Sequence, residues 1–114
     1  VEPEASLREA ARTMSERGVG AALVLEGGRL LGIVTERDVL RAVAQGGEDR
    51  PAADWMTRHP DTIEPEDSME HAGTLMIHGG FRHLPVVEAG RLVGIVSIRD
   101  VMRVALADHA PRGV

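Results

Sequence analysis

The chain has 114 residues, 43% of them apolar but only 2% aromatic, and a formal net charge of −5. That is enough sequence for one compact, aliphatic core. The acidic balance and the lack of a Lys/Arg-rich run argue against nucleic acid, and the short apolar runs against a membrane span. With no cysteine, disulfides, thiolate nucleophiles and Cys-ligated metals are excluded. A cytoplasmic module without nucleic-acid or membrane partners is expected. The start at Val1, without Met, reads as a piece of a longer protein.

A shift of 62 residues lays 1–43 on 63–105 with 19 of 43 positions identical. The match is densest where RLLGIVTERDVLR (29–41) meets RLVGIVSIRDVMR (91–103). Two such halves would each be marginal alone and are expected to share a core about a pseudo-two-fold axis.

In chain order, SLREAARTMSERG predicts a helix. Ser6 is placed as N-cap with Glu9 three residues on, and Gly18 as a left-handed C-cap. Leu7, Ala10, Ala11 and Met14 form its apolar stripe. AALVL and LLGIV flank EGGR and predict a hairpin with a glycine turn. Both strands are nearly all apolar, which implies a sheet covered on both faces. A second helix over 36–45 is expected to turn Val39, Leu40 and Val43 inward and to stop at Gly46–Gly47. The stretch 46–61 reads as a linker with a short ordered piece around Asp54–Thr57, anchored on the core by Trp55. Thr62–Ile63 predicts a short strand, followed by a helix (68–78), a hairpin (83–87 and 92–96) and a helix (98–107). The expected divisions are a first repeat over 1–46 with its leading strand truncated, a linker over 47–61, a second repeat over 62–107 and a frayed tail over 108–114. The fold class is α+β, each half β-α-β-β-α.

Each apolar strand ends at a Thr/Ser-x-x-Asp junction, Thr35–Asp38 or Ser97–Asp100. The bland account is a capping box with Asp in place of Glu, favoured by the helix dipole. Yet Asp is a short-armed choice for that box and stands in both copies. Each strand also carries a glycine, Gly32 or Gly94, where another group can approach closely. The free N–H groups of the helix start suit an anion, and a hydroxyl beside a carboxylate suits a sugar diol.

The duplicated GIVTERD and GIVSIRD, the DWMT stretch at 54–57 and PEDSMEHAGTLM together resemble the tandem cystathionine-β-synthase (CBS) domain pair, the Bateman module. The likeness covers about residues 1–107. It implies two repeats packed sheet to sheet, with clefts between them that take adenosine-containing ligands: AMP, ADP, ATP, S-adenosylmethionine or a dinucleotide such as NAD. By that resemblance Asp38 and Asp100 are the ribose-binding residues, with Thr35 and Ser97 beside them. Thr62 and Ile63 border the base, and Arg82–His83 hold phosphates. The first-half counterparts of Arg82 and His83 are Gly20 and Ala21, so the Asp100 cleft is expected to be the better phosphate site. The resemblance also implies a homodimer and an effector domain or partner protein. No cofactor is obligatory, and Mg²⁺ enters only with ATP.

Other features are weighed against this. His71 and His78 lie two turns apart, too far for one zinc ion, and read as surface residues. Arg37 and Arg99 are first-turn surface residues or phosphate contacts. Met69, Leu75 and Met76 are expected in the core by spacing. Ile98, apolar where Glu36 stands in the other half, hints at a contact surface. No nucleophile–base–orienter set is visible, so the chain is read as non-enzymatic. The rival reading is a dimerisation module that binds no ligand.

Overall fold

A computed structural model describes residues 1–109. The chain divides into two compact units, Val1–Pro60 and Asp61 onward. Both mix helices with antiparallel hairpins, so the class is α+β.

The first unit contains α1 (Leu7–Arg17), β1 (Ala21–Glu26), β2 (Arg29–Thr35), α2 (Glu36–Gln45), a single 3₁₀ turn (Ala52–Asp54) and β3 (Thr57–Arg58). The hydroxyl of Ser6 accepts from the N–H of Glu9 at 3.1 Å, and Gly18 ends α1 at φ 63°. These local bonds satisfy groups that a helix end leaves orphaned. β1 pairs antiparallel with β2 from Ala21–Thr35 to Glu26–Arg29, with a bulge after Val24. The loop residues Gly27 and Gly28 both have positive φ, as a two-residue type I′ turn requires. Leu7, Ala10 and Met14 of α1 are buried with Val24, Val34, Ala42 and Ala52. Leu7 is wholly buried, and its truncation to Ala would cost about 2–5 kcal/mol.

The second unit contains α3 (Met69–Gly79), β4 (His83–Glu88), β5 (Arg91–Ser97) and α4 (Ile98–His109). Ile63 makes a parallel bridge to Val86, so the Thr62–Ile63 strand is reduced to one bridge residue. That completes the β-α-β-β-α order. The Ile63 N–H donates to Pro85 O at 3.0 Å, and Ile63 O accepts from Val87 at 2.8 Å. Val1 does the same in the first unit: its amino group donates to Leu23 O, and its carbonyl accepts from Leu25. All three residue pairs are related by the 62-residue shift. Val1 thus occupies the place in the first unit that Ile63 holds in the second. The core of the second unit is Ile63, Ala72, Met76 and Leu84, with Leu75, Val86, Val96 and Val101 packed against it.

Three expectations are corrected. Leu40 and Val43 are exposed (70% and 57%), and α2 turns Asp38 and Ala42 inward instead. Ala42 is the smaller residue, so α2 can sit close to the core. The cover on both faces expected for AALVL and LLGIV does not extend to their repeat: the interiors of β1 and β2 are buried or half-buried, but in β5 Val96 packs on the core while Val93 and Ile95 are more than half exposed. The helices of that unit cover the Leu84–Val86–Val96 face, and alternation along the strand turns Val93 and Ile95 away from it. The last helix also continues to His109 rather than ending at 107, while 110–114 of the tail lie outside the described residues.

Candidate functional site

In each unit the hairpin delivers its second strand directly into a helix. The Ile98 N–H at the start of α4 donates to Arg82 O at 2.8 Å, and the Glu36 N–H at the start of α2 donates to Gly20 O at 3.1 Å. Residues 82 and 20 are thus fixed beside the two helix starts. Cross-strand register then sets His83 opposite Ser97 and Ala21 opposite Thr35.

At the second junction the Ser97 N–H donates to Asp100 Oδ2 at 2.8 Å and the Ser97 hydroxyl to the same oxygen at 2.9 Å. The Asp100 N–H is 3.1 Å from Ser97 Oγ, closing a capping box. These bonds, first the backbone one and then the hydroxyl, hold the Asp100 carboxyl below its ordinary range; Arg103 and His83 add smaller contributions in the same direction. Among the described residues, the cation nearest Asp100 Oδ1 is Arg103, at 3.7 Å and beyond hydrogen-bond reach, and 41% of the Asp100 side chain is exposed. One carboxylate oxygen is therefore spent on orientation and the other faces outward, free to accept.

The first junction repeats the orienting half. Thr35 N–H and Oγ1 both donate to Asp38 Oδ2, at 2.8 and 3.2 Å. Its Oδ1 is already taken, by an ion pair with Arg41, and only 7% of the Asp38 side chain is exposed. The guanidinium of Arg41 sits 5.7 Å over the centroid of the Trp55 ring.

Of the residues singled out in the sequence, the second unit brings together Arg82, His83, Ser97 and Asp100 at one end of β4–β5. Arg82 and His83 are exposed there. Because Ile63 runs parallel to β4, half-buried Thr62 lies toward that same end. Ile63 itself is 4% exposed, and its side chain belongs to the core. In the first unit Thr35 and Asp38 meet, with Gly20 and Ala21 beside them and no cation on that strand. Arg41 and Trp55 are a side-chain pair at this junction that pattern-reading missed. The three-residue Asp38–Arg41 spacing was the available signal for one of them.

Among the described residues, no three His, Asp or Glu side chains gather as metal ligands. None of the described helices is long and apolar enough to cross a membrane.

Comparison with known proteins identifies the family. Residues 1–45 and 52–107 each match the CBS domain family, so the chain belongs to that family. It is 39% identical over 103 residues to the CBS domain-containing protein YhcV of Bacillus subtilis, covering 89% of this chain and 74% of that one. The fold is similar to that of CBSX2 in complex with AMP, with a TM-score of 0.81, 29% identity, and coverage of 96% of this chain and 87% of that one. It is similar also to a CBS domain protein from Pyrobaculum aerophilum complexed with AMP, with a TM-score of 0.79, 34% identity and coverage of 95% and 89%.

Proposed function

We propose that this chain is a non-catalytic regulatory module that binds an adenine nucleotide or another adenosyl ligand, with Asp100 as its ribose-accepting residue. The observation that carries the reading is the convergence of Arg82, His83, Ser97 and the outward Asp100 Oδ1 in the second unit. A diol needs an acceptor whose orientation is already fixed, and a phosphate needs cations and free N–H donors. All stand at one helix start. The AMP bound to two similar proteins supports the ligand class. S-adenosylmethionine and NAD share the adenosyl part, and Mg²⁺ would accompany ATP only. Thr62 borders the same end, while Ile63 supports it from the core. Thr35 and Asp38 form the weaker counterpart.

As a regulator the module acts by differential affinity: a ligand shifts an equilibrium only as far as it binds one state better than the other. The attached effector domain or partner protein reads that shift, in the cytoplasm. Self-association fits the apolar side chains that Leu40 and Val43 leave exposed on α2, and Ile98, Met102 and Leu106 on α4. The same exposed faces favour the second reading, a dimerisation module with no ligand.

A thermal-shift panel of AMP, ADP, ATP, NADH and S-adenosylmethionine separates the two. At about 100-fold excess over Kd a ligand stabilises by about 2.7 kcal/mol, which moves the transition visibly. A shift with at least one of these ligands, lost in Asp100→Ala, bears the proposal out. No shift with any of them leaves dimerisation as the function.

A further inference from the structure

The two junctions are copies, yet among the described residues only one carboxylate is engaged on both oxygens. Asp38 Oδ2 takes the two Thr35 donors and Oδ1 takes Arg41. At Asp100 the corresponding arginine, Arg103, stands off at 3.7 Å. The difference lies in what holds the arginine. Arg41 is stacked on Trp55. Trp55 in turn donates from Nε1 to Gly47 O at 3.1 Å, and a Cβ at Gly47 would lie 2.6 Å from its ring. The 3₁₀ turn that presents Trp55 is bonded to the start of the chain, Ala52 N–H to Ala5 O and Ala53 N–H to Pro3 O. Among the described residues no aromatic ring lies under Arg103.

A guanidinium fixed on an aromatic face loses less freedom on pairing than a free one, so the Asp38 pair is preorganised. A ligand hydroxyl would have to displace a charge-assisted bond from a carboxylate already withdrawn from water, leaving Arg41 unpaired. We propose that Arg41, held by Trp55, locks Asp38 and closes the first junction to diol-bearing ligands, confining adenosyl binding to the second. This rests on the ligand reading above and adds to it the device that makes two near-identical motifs unequal.

The test uses AMP and calorimetry on four proteins. The unaltered chain is expected to bind one AMP, and Asp100→Ala to bind none. Asp100→Ala with Arg41→Met is expected to regain binding, weaker by roughly ten-fold to a hundred-fold than at the second junction because Gly20 and Ala21 stand where Arg82 and His83 would hold the phosphate, and adding Asp38→Ala to abolish it again. Arg41 is half exposed, so the methionine keeps the stem without burying a new group. Failure of Arg41→Met to restore binding, or two equal sites in the unaltered chain, overturns the lock. A second readout needs no nucleotide: carbodiimide labelling of carboxylates followed by peptide mapping. Asp38 should react about tenfold more slowly than Asp100, a charge-assisted bond being worth that much or more, and Arg41→Met should erase the difference. Equal labelling in the unaltered chain also overturns the lock. Protection of Asp38 that Arg41→Met releases, in a chain that binds no AMP, refutes the ligand reading while retaining the lock.

Discussion

The carbonyl oxygen of Thr57 lies 2.6 Å from where a Cβ on Gly32 would stand, with Met56 Sδ at 2.7 Å. That approach lets β3 pair with β2 at Gly32–Arg58 and Ile33–Thr57. Among the described residues the repeat of Gly32 has no such neighbour: the nearest atom to a Cβ on Gly94 is Val86 Cβ, at 4.0 Å. Gly32→Ala should therefore force β3 off its partner and destabilise the chain by about 1–3 kcal/mol. Gly94→Ala should stay within about 0.5 kcal/mol of the unaltered protein. Urea midpoints of the two variants check this, and equal losses would show that β3 does not depend on the gap.

The same contrast explains what the sequence could reveal. Caps and turns were legible because Ser6, Gly18 and the Gly27–Gly28 loop act on bonds within a few residues of themselves. β3 was not, since two residues carry no periodicity and their pairing depends on a hydrogen atom at Gly32. The inward face of α2 was misjudged for a related reason. Apolar spacing favours Leu40 and Val43, but the face that docks carries Asp38 and Ala42, because Asp38 is tied to Thr35 and Arg41. At the candidate site the Asp–hydroxyl pairs and the Arg82–His83 cations were legible as residue types at fixed spacing. Their inequality was not, because Trp55 reaches Arg41 from fourteen positions away, across a linker.

The turns offer a second test. Where the first hairpin has Gly27, the second has Ala89, at φ 52°. A left-handed alanine is strained, whereas Asn-Gly is the preferred type I′ pair. Ala89→Asn should stabilise the protein by about 0.5–1 kcal/mol, and Gly27→Ala should weaken it by a similar amount. Thermal unfolding of both variants reads the opposite signs.

Asp100 gives the chain a pH dependence with a defined sign. Ser97 holds the folded carboxyl below the ordinary aspartate range. The contribution to stability is therefore fully present above the unfolded value, about 3.9, and is lost as pH falls through the lower folded value. Urea midpoints between about pH 6 and pH 2.5 should show the unaltered chain falling toward Asp100→Asn, with the gap constant at the neutral end. A gap that widens with acid would contradict the Ser97 bonds.

Arg82 and His83 separate phosphate recognition from adenosine recognition. Both stand at the start of β4, beside the helix that Ile98 opens, and both are exposed, so their truncation leaves the core of Ile63, Met76 and Leu84 untouched. A cation that bonds a phosphate is worth about 1.5–3 kcal/mol, or roughly ten-fold to a hundred-fold in Kd. Arg82→Ala should weaken AMP by that factor and leave adenosine almost unchanged, whereas Asp100→Ala should weaken both alike. The AMP affinity of the unaltered chain should also fall with added salt, as expected for exposed charges, and that slope should flatten in Arg82→Ala. Calorimetry with AMP and adenosine at two salt concentrations reads all of these. Equal losses for the two ligands in Arg82→Ala would place the phosphate elsewhere.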